Sequence, residues 1–307
     1  MAAGTLTRRS FGALSFATGA AAMAGPAMAQ DRLSVAAGNY PLAYFAERIA
    51  GDLADVLFPV PADVDPSFWR PGIADISAFQ AADLIVLNGA GFADWTARTS
   101  LPRSRIVNAS AAFEDAFIAT ETVTHSHGDG GEHSHTGTAS YVWLDFGQAA
   151  MQAATIAAAL IRRAPAAEAQ ISENLAALIA DLTALDAEAQ AIGAAAEGLT
   201  FITSHPRYQY FGRAHDLTLR ALDWDAREEP SEAQWQALEA LVGESGATVF
   251  VWEAAPSDTA LQRMEDLGLS NAVFAPMANR PTNGDFLQGM QDGLSALAEA
   301  VRIASSS

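Results

Sequence analysis

Two lobes of alternating strand and helix, each with a mainly parallel sheet, flanking one long rigid helix: this is the α/β architecture predicted for the chain. Strand-like and helix-like runs alternate with short connections from Leu33 to Val107, and a second alternation runs from Leu199 to Ile303. Such alternation predicts parallel sheets covered by helices. Between the two, Ile171, Leu175, Leu178, Leu182, Leu185, Ala189 and Ile192 recur at steps of four and three. That spacing makes one apolar stripe over about six turns. A coiled coil is the rival reading, but the stripe is short for one. A helix laid along both lobes accounts for it better.

The elements follow in order. Leu33-Ser34-Val35-Ala36-Ala37 is a short apolar run, hence a first strand. Leu42, Phe45, Ala46 and Ile49 give Pro41–Leu53 helical spacing. Asp55–Val60 returns to strand character, Ile73–Ala81 to a short helix, and Asp83–Leu87 to a buried strand ending at Asn88-Gly89. Ile106-Val107 is a further strand. Residues 120–139 are polar, Gly-rich and His-rich without periodicity, and read as a mobile loop. Gly147–Arg163 is helical, and Pro165 suits the first turn of the next helix. In the second lobe, strands are expected at Leu199–Thr203, Leu219–Leu222, Thr248–Trp252 and Ala272–Ala275. Helices are expected from Tyr208 to His215, from an N-cap at Ser231 with Gln234 three places on, at Asp258–Leu267 and at Phe286–Ile303. His215 is expected at the surface.

Composition narrows the function. The chain has 307 residues, half of them apolar, which is ample for a packed core. Acidic residues number 36 against 17 basic ones, all arginine, for a net charge of −19. No basic patch for nucleic acid or an anionic membrane is visible. The chain has no cysteine, which removes disulfides, thiolate metal sites, cysteine nucleophiles and an acylated lipobox cysteine. Thr7-Arg8-Arg9-Ser10-Phe11, a weak apolar run and Ala27-Met28-Ala29 look like a cleavable export signal. The arginine pair favours the twin-arginine type over an ordinary secretory signal. The expected organisation is therefore a signal peptide at 1–29 and an N-terminal α/β lobe at 30–145, which holds the His-rich loop 120–139. A helical linker at 146–195 and a C-terminal α/β lobe at 196–307 follow. The product is expected in the periplasm as a monomer.

Several segments together resemble a known family. Asn39-Tyr40-Pro41-Leu42, Asp65-Pro66-Ser67-Phe68-Trp69-Arg70-Pro71, Ala82-Asp83-Leu84-Ile85-Val86-Leu87-Asn88-Gly89, Tyr141-Val142-Trp143-Leu144-Asp145, Thr203-Ser204-His205-Pro206-Arg207-Tyr208 and Phe250-Val251-Trp252-Glu253 occur in the family's order. The chain resembles the periplasmic substrate-binding proteins of zinc and manganese ABC importers, the cluster A-I or TroA-like family. The resemblance implies two lobes closing over a divalent ion, zinc first and manganese or another divalent metal second. It also implies delivery to an importer permease in the inner membrane, and no enzymatic activity. The ion normally takes ligands from both lobes. At those positions this chain carries Ser67, Tyr141 and Ala275 in place of two histidines and a carboxylate; His205 alone is retained.

Two sets of residues remain as metal candidates. His125, His127, His133 and His135 fall within eleven residues, and flexible glycines would let two His-x-His pairs face one ion. The alternative is a solvated insert. His205 with Glu253, Asp65, Asp145 or Tyr141 is the second set; Glu253 lies at a strand's C-terminal end, where open α/β sheets bind ligands. The alternatives are a structural histidine and a hinge ion pair. Asp145 is better read as the cap of the helix after it. Trp69, Tyr141, Trp143, Tyr208 and Trp252 are better read as core packing than as ligand contacts. With the usual ligands replaced, a changed cleft for a metal chelate or small solute, or a periplasmic zinc buffer working through the loop, are the alternative functions. A Ser67–His205–Asp145 hydrolase lacks a nucleophile elbow.

Overall fold

The computed structural model describes residues 1–2, 32–120, 137–226 and 228–306, together with the backbone of 124–126 and 132–134. The signal expected at 1–29 and the side chains of His125, His127, His133 and His135 lie outside the described residues. The first lobe is built from β1 (Leu33–Ala37), α1 (Tyr40–Ala50), β2 (Ala54–Leu57), α2 (Ile73–Ala81), β3 (Leu84–Leu87), α3 (Trp95–Arg98) and β4 (Ile106–Asn108). Its strands lie in the order β2-β1-β3-β4 with every neighbouring pair parallel. Val35, Ala36, Ile85 and Val86 are fully buried, as expected of a parallel sheet covered on both faces. Asn39 starts α1 by accepting a hydrogen bond from the Leu42 amide at 3.3 Å.

A hairpin of β5 (Thr124–Ser126) and β6 (Glu132–Ser134) follows. The expected patternless loop thus contains a short antiparallel ladder with His125 opposite His133. Its base is fastened where the Thr120 amide donates to the Gly137 carbonyl at 3.0 Å. A three-residue strand is too short to leave a period in the sequence, which is why it was not legible.

Two helices join the lobes: α4 (Phe146–Arg163) and α5 (Glu168–Ala195). Asp145 caps α4, its Oδ1 accepting from the Gln148 amide at 3.0 Å. The α5 stripe is the expected one: Ile171, Leu178, Leu182, Leu185, Ala189 and Ile192 are buried. It packs on α1, α4 and α9 and is pinned along its length. Asn174 donates to the Ile49 carbonyl of α1 at 3.0 Å, and Gln190 donates to Ala214 of the second lobe at 3.1 Å. At Gly193 a β-carbon would overlap the His215 carbonyl, so glycine permits this close approach.

The second lobe comprises β7 (Thr200–Thr203), α6 (Gln209–Ala214), β8 (Thr218–Ala221), α7 (Glu232–Ser245), β9 (Val249–Trp252), α8 (Asp258–Asp266), β10 (Ser270–Val273) and α9 (Phe286–Ala304). Its sheet order is β10-β9-β7-β8, again parallel throughout. One core runs through both lobes and α5, and a smaller cluster around Trp224, Trp235, Phe250 and Trp252 fills the far face of the second sheet. Among the described residues no helix is long and apolar enough to cross a membrane.

Three local expectations are corrected. The strand expected over Asp55–Val60 ends at Leu57, because Pro59 and Pro61 cannot donate to a ladder. The strand expected at Ala272–Ala275 is shifted to Ser270–Val273, where it pairs with β9 from Val249 onward. His215 is not at the surface. It is 1% exposed, stacked near Phe146 and Phe211, and neither ring nitrogen has a hydrogen-bond partner.

Candidate functional site

The loops that follow β2, β7, β8, β9 and β10 converge on one cleft of about 720 Å³ between the lobes. These are the C-terminal ends of the parallel strands, where open α/β sheets bind ligands. The walls are mostly apolar, with Val64, Phe68, Pro276 and Met277 among them, while Asp63, Asp65, Asp225 and Glu253 supply acid and Arg70 and Arg207 base.

Arg207, in the loop between β7 and α6, dominates the polar part. Its side chain is 8% exposed. Nη2 lies 2.7 Å from Asp65 Oδ2 in the first lobe, and Nε lies 3.1 Å from Glu253 Oε2 at the end of β9. The guanidinium carbon sits 4.7 Å from the centroid of the Tyr141 ring, a cation–π arrangement. One cation thus faces two carboxylates and an aromatic ring. The Asp65 contact is the stronger one. The Nε approach to Glu253 lacks hydrogen-bond alignment, leaving Arg207 Nε and Glu253 Oε2 buried without a hydrogen-bond partner.

The two carboxylates respond differently. Burial opposes ionisation of Asp65, but Arg207 and two hydrogen bonds from Ser67 outweigh it and hold the carboxyl below its ordinary range. The bonds come from the Ser67 amide at 2.8 Å and hydroxyl at 2.7 Å, both to Oδ1. For Glu253, burial prevails over Arg207 and His205 and raises the carboxyl above its usual value. Arg207 keeps its proton: its neighbouring carboxylates overcome burial and raise its affinity for it further.

His205 lines the same cleft and is 6% exposed. Its Nδ1 is 3.1 Å from the Trp224 carbonyl oxygen. A carbonyl only accepts, so Nδ1 carries the proton in that contact and the neutral ring has its lone pair on Nε2. Asp223 Oδ1 lies 3.6 Å from the same nitrogen. The three positions at which the resemblance expects ligands are equally well defined. Ser67 is bonded to Asp65. Tyr141 lies under Arg207 with its hydroxyl buried and without a partner. Ala275 is a methyl in the cleft wall. Among the described residues no three His, Asp or Glu side chains are grouped to hold a metal ion.

The remaining candidates sort by contact. Trp69, Trp143, Tyr208 and Trp252 are core residues: Trp69 packs on Phe79 and Trp95, and Trp252 on Phe250. Trp143 donates across the lobes to the Pro276 carbonyl at 2.7 Å. Ser67, His205 and Asp145 take separate partners and make no hydrolase triad, for Asp145 caps α4 and lies 3.8 Å from Arg213. Arg207 is the cleft residue that sequence reasoning missed. Its signal was a buried-motif cation two places after His205.

Two parallel-sheet lobes, a long joining helix and a cleft fed by strand ends define a bilobed substrate-binding protein. The model of the family "ZnuA: Zinc-uptake complex component A periplasmic" matches residues 35–300. The chain belongs to this family, whose members are substrate-binding proteins of metal ABC transporters rather than enzymes. It is 24% identical over 286 residues to the zinc-binding lipoprotein AdcA of Streptococcus pneumoniae, covering 88% of this chain and 56% of that one. It is 28% identical over 205 residues to the manganese ABC transporter substrate-binding lipoprotein PsaA of the same species, covering 65% and 64%. The chain thus spans less than two thirds of the length of these relatives. The metal-dependent lipoprotein YcdH of Bacillus subtilis has the same fold, with a TM-score of 0.73 at 24% identity over 88% of this chain and 99% of that one.

Proposed function

We propose that the chain is the exported substrate-binding component of a metal ABC importer, and that it takes its cargo into the interlobe cleft as a metal chelate or small solute. In this reading it leaves the cytoplasm on its twin-arginine signal and presents the cargo to an inner-membrane permease. The observation that carries the reading is the cleft itself. At about 720 Å³ it falls among small-molecule sites, which run from roughly 300 to 1,000 Å³. A bare zinc ion instead wants about four donors at roughly 2 Å.

A second reading is favoured by the hairpin register. His125 stands opposite His133, which supports collection of zinc, or less readily manganese or another divalent ion, by the His-rich segment with His127 and His135. His205 and Glu253 would then be the cleft ligands.

The test uses metal-stripped residues 30–307 in three forms: wild type, His205→Ala, and a variant with His125→Asn, His127→Asn, His133→Asn and His135→Asn. Calorimetric titration with zinc chloride and with the zinc–citrate complex separates the readings. The chelate reading expects zinc–citrate to bind all forms that keep the cleft, and free zinc to be lost with the four histidines. One tight zinc ion that survives those four substitutions and disappears in His205→Ala would establish the bare-ion importer instead.

A further inference from the structure

We propose that Arg207 determines the specificity of the cleft by acting as a tethered cation, which occupies the carboxylates Asp65 and Glu253 and keeps a bare divalent ion away from them. The proposal rests on the cleft being the cargo site. It follows from where the guanidinium sits. Arg207 belongs to the second lobe, yet its Nη2 is 2.7 Å from Asp65 in the first, and its Nε is 3.1 Å from Glu253. A cation that faces carboxylates of both lobes is therefore already covalently part of the chain.

A metal ion would have to compete for the same oxygens. Zinc binds carboxylate oxygen at about 2.0–2.2 Å. Asp65 Oδ2 is engaged by Arg207, and Oδ1 accepts both Ser67 hydrogen bonds. An ion seeking the same carboxylates would also have to sit beside the guanidinium, and like charges repel more strongly in a buried cleft than in water. The ring of Tyr141 stabilises a delocalised cation 4.7 Å away but offers no donor from its face. Ser67, Tyr141 and Ala275 add neither an imidazole nor a carboxylate to the cleft, and a buried guanidinium stands beside them. The cleft thus holds a fixed cation where a free one would have to bind. Cargo must arrive with its metal already ligated.

The test uses residues 30–307 carrying the four His→Asn substitutions at 125, 127, 133 and 135, so that the hairpin adds no sites. Zinc chloride is titrated calorimetrically, and cobalt chloride is followed by its visible absorption. The parent is expected to show no one-to-one cleft site, and its response is unchanged by Asp65→Asn or Glu253→Gln. Arg207→Gln and Arg207→Ala are each expected to gain one zinc or cobalt site at least tenfold tighter than any in the parent. That site is lost again when Asp65→Asn or Glu253→Gln is added. Folding is followed by circular dichroism. Folded Arg207→Gln and Arg207→Ala proteins that gain no metal would overturn the proposal. So would a parent zinc site that Asp65→Asn or Glu253→Gln removes, a measurement that needs no change at Arg207. Zinc–citrate binding by the parent is scored separately, so a failed cargo reading and a failed arginine are told apart.

Discussion

At the scale of single residues, the ion pair in the cleft and the buried His215 set the sharpest expectations. Arg207 is buried and Asp65 is mostly so. Removing one partner of a buried pair leaves an uncompensated charge, which costs about 3–5 kcal/mol. Asp65→Asn should fall at the low end, about 3 kcal/mol, because Glu253 still faces the guanidinium. Urea unfolding checks this, and a loss below about 1 kcal/mol would mean that the pair is solvated in solution. For His215, burial lowers the pKa against the opposing pull of Asp186, Asp145 and Asp216. The unfolded ring takes up its proton near pH 6.5, whereas the folded ring does so only below that. Stability should therefore decline as pH falls from 7.5 through 6.5, and His215→Phe should flatten that part of the melting-temperature profile. An unchanged slope would show that the folded ring takes up its proton no differently from the unfolded one. Residues whose role is set by near neighbours in sequence were legible: Asp145 and Ser231 are the caps their spacing announces. Arg207 was not, because its partners lie 142 and 46 residues away and only the topology brings them together.

At the scale of elements, legibility follows periodicity. The seven-position stripe on α5 marked the helix and its buried face together, with Leu178 and Leu182 fully buried and Leu175 partly so. Leu182→Ala should cost about 2–5 kcal/mol, the usual range for a large-to-small change in a packed core. It should do so in one unfolding transition, since α5 shares its core with both lobes; two resolved transitions in calorimetry would refute that sharing. Short strands were legible in kind and misplaced at their ends. Proline stopped β2 early, and β10 was displaced by its pairing with β9. The β5–β6 ladder left no trace because its composition is that of a polar loop and its pairing is local.

At the scale of the whole molecule, the lobes are held by more than α5. The segment 276–279 of the second lobe leans on the first: Asn279 donates to the Pro61 and Val64 carbonyls at 2.7 Å each, and the Tyr40 amide donates to Ala278 at 2.9 Å. Asn279→Ala removes two of these bonds at a partly exposed site. It should shift the lobes toward a more open arrangement, seen as a larger radius of gyration in small-angle scattering, with little change in melting temperature. An unchanged radius would place the restraint in α5 alone. The Arg207–Asp65 contact adds a clasp between the same lobes, and its chemistry has a consequence for how the molecule is opened. A lysine in that place would be able to shed its proton on burial, making the clasp a switch worked by acidity. Guanidinium does not deprotonate in a protein, and Asp65 is held ionised. Near neutral pH the clasp is therefore released by barter: some other anion must offer Arg207 what Asp65 gives it.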